Sequence, residues 1–434
     1  HDLIARLVVE GVESLTLTLL DSAAHSEAKY TPSCRLYVIT CLLLQANVIE
    51  AGMSCSILYF LYCDKIELYY YERVVSDLKR DIPMQLKGNL NNLDIMKFIA
   101  AILIVSIHTA PLLSLNETIS LALENTIARV AVPFFFAASG YLFFGKISTN
   151  DNRTTHPASS YWAKYTKRIA VIYLVWSLIY AVYDIPHSYQ EHDHDLLRTL
   201  VFYLRDFVFI GGHFHLWYFP ALLFAVTALY FGIRMMSLSK LLLLSIGLYG
   251  IGLFGDAYFG VLGEDTVLSR FVLHYFEVFG TTRNGLFFGL VYVVLGAYIY
   301  ERGLKARHSK PGLLFSLSLI GVILEVVLLN QLIEIRDCNM LIMLLPATYF
   351  LFQMLLHKQS PQWSIDFKVL RDSSLLIYCS HGMFLLLYSR VLGDVVAHSF
   401  AWFVLVFLSS LATALLMMRL RRSESASRYI SIFY

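Results

Sequence analysis

Ionisable residues inside long apolar segments are unfavourable unless something uses them, so the search for chemistry begins there. The segment Leu93–Thr109 holds three: Asp94, Lys97 and His108. On a helix, the eleven steps from Lys97 to His108 make three turns plus about 20°, placing both on one face about 16 Å apart along the axis. Asp94 precedes Lys97 by three residues and is placed to pair with it. The outcome is a polar stripe ending in an imidazole, a group able to gain or lose a proton near neutral pH. The competing reading has Lys97 snorkelling to an interface and His108 bonding a neighbouring helix. A second apolar segment opens with Arg129 and continues through Pro133 to Ser139 and Gly140. Small residues let helices approach closely, and Pro133 frees a backbone carbonyl and predicts a kink. Packing accounts for those features but not for an arginine at the segment's entrance.

The elements that carry these residues follow from composition. Of 434 residues, 57% are hydrophobic and only 15% are charged, against about 25% charged in a typical soluble domain. Mean hydropathy is +0.61. A chain so poor in charge cannot cover a water-facing exterior, so lipid is its main solvent and its first partner. A net charge of +2 gives no basis for nucleic-acid binding. From residue 93 onward ten apolar runs recur, at 93–114, 126–145, 168–184, 216–233, 241–259, 284–300, 312–333, 340–357, 374–390 and 400–418. They lack the alternation of barrel strands and approach the roughly 20 residues that a helix needs to cross a bilayer. The expected fold is an all-α polytopic membrane protein with about ten transmembrane helices and short loops.

Alternate breaks between the runs hold eighteen Lys and Arg residues on one side and six on the other. The positive-inside rule makes the richer side, with the C-terminal tail 421–434, cytoplasmic. The longest outer breaks are 185–215 and 260–283. The first contains Glu191-His192-Asp193-His194-Asp195, which reads as a solvated loop in preference to a weak metal site; no metal is expected.

Residues 1–83 differ from the rest. They hold four of the six cysteines (Cys34, Cys41, Cys55 and Cys63), and their one apolar stretch, 36–62, is interrupted by Gln45, Asn47 and Glu50. They lack the basic start and cleavage site of a signal peptide. An eleventh span, a surface helix and sequence outside the functional unit all fit. The expectation is that this extension is dispensable and that the membrane domain covers 84–420, beginning at Met84.

With these residues in place, residues 90–420 resemble the acyltransferase family 3 membrane proteins, which include O-acetylases of bacterial surface polysaccharides. The diagnostic element is a basic residue, ten intervening residues and a histidine in the first span, matched by Lys97 and His108 behind Leu93-Asp94. Arg129…Val132-Pro133-Phe134-Phe135-Phe136…Ser139-Gly140-Tyr141 resembles the second signature. His215-Leu216-Trp217-Tyr218, Arg283-Asn284-Gly285 and Ser374…Tyr378…His381 fit in order. The departures are the N-terminal extension and Gly382, where proline is commoner after the histidine.

The resemblance implies acyl transfer, usually of acetyl, from cytoplasmic acyl-CoA to a hydroxyl of a glycan or lipid-linked glycan, with acyl-CoA as co-substrate and no bound cofactor. It implies a cell-membrane protein of bacterial type that takes part in envelope polysaccharide O-acetylation. His108 then stands as base or acyl carrier. Lys97, supported by Asp94, binds the donor's phosphates, with Lys164, Lys167 and Arg168 as candidate helpers. Arg129, Ser139, Trp217, Arg283, Asn284, Tyr378 and His381 support the acceptor or the transition state. The acceptor, the acyl group and the oligomeric state are not legible. A transporter or flippase of the same fold is the alternative; no internal repeat joins the two halves, as many transporters show. The chain runs about fifteen residues past its last run, so no appended soluble domain is expected. A scaffold is disfavoured by the many intramembrane charges.

Overall fold

A computed structural model describes residues 85–423, 430 and 432–434, apart from 151–157, 264–265, 304–309, 360, 362–365 and 394–397. The expectations for residues 1–83 lie outside the described residues. Among those described, every regular element is helical, as an apolar chain must be when its backbone polar groups have no water to bond.

In chain order the helices are α1 (Gln85–Thr109), α2 (Glu117–Ala122), α3 (Ala131–Asn150), α4 (Ala158–Glu191), α5 (Leu196–Phe209), α6 (Tyr218–Met235), α7 (Leu238–Leu253), α8 (Val267–Phe279), α9 (Leu290–Arg302), α10 (Pro311–Leu332), α11 (Leu344–His357), α12 (Phe367–Leu392) and α13 (Phe400–Leu420). All ten apolar runs fall on helices. Among the described residues, eight helical stretches are long and apolar enough to cross a membrane, whereas the runs at 241–259 and 340–357 become shorter helices at Leu238–Leu253 and Leu344–His357. The chain is an integral membrane protein of all-α architecture.

Two irregularities shape the centre. A π turn (Leu123–Ile127) and a 3-10 turn (Ala128–Val130) interrupt the continuous helical stretch Glu117–Ser148 just ahead of Pro133, which has no amide hydrogen to give the preceding turn. A second π turn, Gly285–Gly289, opens α9. Small residues do bring helices together. A Cβ at Gly140 would lie 1.9 Å from the Val293 carbonyl oxygen, and one at Gly296 would lie 2.0 Å from that of Ala137. These are reciprocal backbone contacts between α3 and α9. Residues 290–297 of α9 are buried almost without interruption, while α10 and α13 present mostly exposed apolar faces, the pattern expected of lipid-facing helices.

The break 185–215 is not simply a loop. α4 continues to Glu191, Asp193 and His194 turn the chain with positive φ, and α5 follows. α5 exposes Leu197, Leu200, Val201, Leu204 and Val208, and α8 in the other long break exposes Val267, Phe271 and Val278. Polar residues cap both helices: Asp195 accepts from the Arg198 amide and Thr266 from the Ser269 amide. Amphipathic helices of this kind suit a membrane surface, and hydrophobic periodicity in these two breaks is the signal that would have found them.

Candidate active site

One cavity of about 660 Å³ runs through the bundle between α1, α3, α4, α6 and α12. Lys97, Lys146, Arg168 and Arg371 line one end, and His108, Arg129, Arg283, Trp217 and Asn339 line its other part. Lys97 and His108 therefore open onto the same space, as their helical spacing predicts.

At the basic end, Lys97 Nζ donates to Asp94 Oδ1 at 2.9 Å, and both are largely buried. Arg371 of α12 approaches Asp94 Oδ2 at 3.9 Å and bonds Asp372 Oδ1. Asp94 thus orients the cations from behind; among the described residues it is absent from the cavity wall, whereas Asp372 is part of it. In the sequence Arg371 and Lys146 carry only an orientation signal, because nothing there relates α12 or the end of α3 to Lys97.

His108, at the last turn of α1, is half-buried. Its ring stacks on His381 at 5.3 Å between centroids and meets Phe214 edge-on at 4.9 Å. His381 of α12 is fully buried; its Nδ1 faces the Tyr378 carbonyl at 2.7 Å, so Nδ1 carries the hydrogen and Nε2 is left without a partner among the described residues. Tyr378 donates its hydroxyl to the His215 carbonyl, tying α12 to the 211–217 connection. Burial first, and then the imidazoles of His381, His213 and His108, hold the His215 imidazole well below its ordinary range, so it is neutral at physiological pH.

The two arginines meet on one atom. Arg129 Nη1 and Arg283 Nη1 donate to Asn339 Oδ1 at 2.5 and 2.9 Å. Asn339 is held by buried Asp256, whose Oδ1 accepts from the Asn339 and Met340 amides at 2.8 and 2.9 Å and whose Oδ2 accepts from Asn339 Nδ2 at 3.2 Å. Because both Asp256 oxygens accept, the Asn339 amide must turn its nitrogen to them and its oxygen to the guanidinium groups. Arg129 also bonds Asn125 Oδ1 at 2.8 Å. Arg283 lies over the Trp217 ring at 4.9 Å, so Trp217 is engaged in a cation–π contact as well as lining the cavity.

Ser139 Oγ lies 3.2 Å from the Tyr218 hydroxyl on the cavity wall. Asn284 is spent on local structure: its Oδ1 accepts from the Leu286 and Phe287 amides, and its Nδ2 donates to the Tyr275 hydroxyl and the Thr281 carbonyl. It caps the turn into α9 and is absent from the cavity wall. Tyr434, buried at 3%, lines the cavity too. Among the described residues no group of three or more His, Cys, Asp or Glu is arranged to hold a metal ion.

Gly382 has a physical reason. The Tyr180 hydroxyl donates to the Cys379 carbonyl at 2.7 Å and accepts from the Met383 amide at 2.9 Å, two groups that an undisturbed helix would join directly. A Cβ at 382 would lie 2.6 Å from His215 Cε1 and 3.0 Å from that hydroxyl. The helix is opened here by an inserted tyrosine, and glycine leaves room for it.

No solved structure matches the chain significantly. Two proteins of Enterococcus faecalis named amino-acid racemase are similar to it, one 29% identical over 79% of this chain and 48% of its own length, the other 32% identical over 62% and 36%. A serine/alanine racemase of Enterococcus gallinarum is 33% identical over 61% of this chain and 37% of its own length. The chain spans about half or less of the length of these relatives. The family model for the acyltransferase domain matches residues 90–419, the whole helical bundle from Leu90 in α1 to Arg419 in α13, and the chain belongs to that acyltransferase family.

Proposed function

We propose that the chain transfers an acyl group, acetyl in the simplest case, from coenzyme A at the basic end of the cavity to a hydroxyl at the other. The observation that carries this reading is the single cavity lined by Lys97, Lys146, Arg168 and Arg371 at one end and by His108 about 16 Å further along α1. Four cations suit a donor with several phosphates, and the rest of the cavity, lined by His108, leaves space for its thioester arm. The eighteen-to-six asymmetry of Lys and Arg makes the basic end, and the C-terminus with it, cytoplasmic.

A thioester is already activated, so the site has three tasks. His108 takes the proton of the attacking hydroxyl, or carries the acyl group for one step. Arg129 and Arg283, fixed on Asn339, present positive charge where the carbonyl oxygen or an anionic part of the acceptor settles. Trp217, with Arg283 over its ring, lines the part of the cavity where a sugar would lie. A hydroxyl of a bacterial envelope glycan, or of its lipid-linked precursor, is the acceptor class that suits these features. Thiol release from acetyl-CoA by purified protein, raised by added acceptor glycan and matched by acetyl ester on that glycan, supports the assignment; acceptor-independent silence across a panel of envelope glycans contradicts it.

A second reading rests on the names of the relatives. A membrane part joined to an amino-acid racemase would usefully pass a small amino acid such as serine or alanine, and two guanidinium groups facing one cavity suit a carboxylate. Entry of labelled serine into protein-containing vesicles without coenzyme A release favours this passage reading over acyl transfer.

A further inference from the structure

Beside His108 stand three imidazoles that the acyl-transfer chemistry leaves without a task, of which His215 also touches the cavity wall and His381 and His213 do not. His381 lies 5.3 Å from His108 between ring centroids, His215 lies 4.6 Å from His381, and His213 lies 5.3 Å from His215. His213 Nδ1 pairs with Asp184 Oδ1 at 2.8 Å. The rings adjoin in series from His108 to a carboxylate on α4, with no ring-to-ring hydrogen bond among the described residues. Asp184 is sixteen residues beyond Arg168, about 24 Å further from the basic end, and its side chain is 18% exposed.

Each of the three inner rings is buried, and each keeps one nitrogen without a partner among the described residues: His381 Nε2, His215 Nδ1 and His213 Nε2. Orphan buried nitrogens weaken a fold, and apolar side chains of similar size would pack without that cost. Other features hold these rings in place. Tyr180 stacks on His213 at 4.3 Å while its hydroxyl opens α12 beside His381, and the missing side chain at Gly382 lets His215 rest against the same turn.

We propose that His381, His215, His213 and Asp184 form a proton path that carries the proton taken up by His108 to water at the Asp184 end. The proposal rests on the acyl-transfer reading. When the acceptor oxygen bonds the acyl carbon, its proton goes to His108 and the carbon–sulfur bond breaks with its electron pair on sulfur. Coenzyme A leaves as the thiolate and takes a proton from water at the basic end. His108 regains its neutral form by passing its proton along the imidazoles, each gap crossed through a water. One proton is thus released at the Asp184 end and one taken up at the basic end for each ester made. The residues along the path position and move a proton; only His108 touches the reacting atoms.

The test uses the full chain sealed into vesicles of phosphatidylethanolamine and phosphatidylglycerol, with N-acetylglucosamine and a pH-sensitive dye inside. Acetyl-CoA added outside addresses only molecules whose basic end faces outward. The parent is expected to acidify the lumen by about one proton per coenzyme A released. Asp184→Asn and His213→Gln, both checked for an unchanged melting temperature, are expected to release coenzyme A at least ~10-fold more slowly and without luminal acidification. Lumens that acidify equally per coenzyme A in parent and both variants overturn the path. So does a parent that releases coenzyme A without acidifying the lumen. A parent that releases no coenzyme A under any acceptor overturns the acyl-transfer reading itself, and the path falls with it.

Discussion

Asp256 touches neither the cavity nor any reacting group, yet replacing it with asparagine is expected to disable the site. Its two oxygens accept three N–H groups, and one of these fixes the Asn339 amide with its oxygen towards Arg129 and Arg283. In Asp256→Asn the new carboxamide would present its NH₂ group to Asn339 Nδ2, setting donor against donor. The relaxed arrangement flips Asn339 and turns its NH₂ on two guanidinium groups, so both arginines lose their shared acceptor. A hydrogen bond to a charged group contributes about 1.5–3 kcal/mol. With partial relaxation, an Asp256→Asn loss of about 2–3 kcal/mol in transition-state stabilisation corresponds to roughly 30–160-fold in rate. The assay is coenzyme A release per folded molecule, with melting temperature measured alongside. Asp337→Asn is the control: its carboxylate lies 3.8 Å from Arg129 but its side chain is 47% exposed, so a change below ~3-fold is expected. An Asp256→Asn protein that is folded and turns over at the parental rate refutes the pinning argument.

Lys97→Ala should raise the apparent KM for acetyl-CoA more than it lowers kcat, and Lys97→Arg should be milder because the cation persists beside Asp94; steady-state kinetics of the three proteins decide this. Gly140→Ala should destabilise the bundle by more than ~3 kcal/mol or abolish folded protein, since its Cβ would fall on the Val293 carbonyl; detergent-solubilised yield and melting temperature report it. His215 has its pKa lowered in the fold by burial and its imidazole neighbours. The unfolded chain therefore binds the proton more tightly, and the stability contributed is present above an unfolded pKa of about 6.5 and lost as pH falls below it. Melting between pH 8 and pH 5 should show that loss, and His215→Gln should flatten it.

What is legible in the sequence is what a single helix carries. Asp94, Lys97 and His108 share α1, so spacing alone predicts both the ion pair and the common face. Gly140 is recognisable as a close-approach residue, but its counterpart Gly296 lies 156 positions on, on α9, and only packing joins them. Asn339, Asp256 and Arg371 escape a linear reading for the same reason: their partners on other elements are 56 or more residues away. Asp256 is visible as a lone carboxylate in the run 241–259, and such residues carry function often enough to merit attention. His213 and His215 flank Phe214 just ahead of α6, a cluster that composition does not flag because histidine adds no formal charge. The two shorter helices look like full spans because hydropathy measures apolar length and not where a helix ends.

In the proposed reaction His108 performs chemistry where the donor arm meets the acceptor. The most direct measurement is coenzyme A release per folded molecule for the parent and His108→Ala, with abundance and melting temperature recorded on the same preparations. A fall of about 10²–10⁴-fold, the range of lost general acid–base assistance, is expected in a protein whose abundance is nearly unchanged, since His108 is half-buried on the cavity wall and not in the core. A His108→Ala protein that turns over at the parental rate contradicts it.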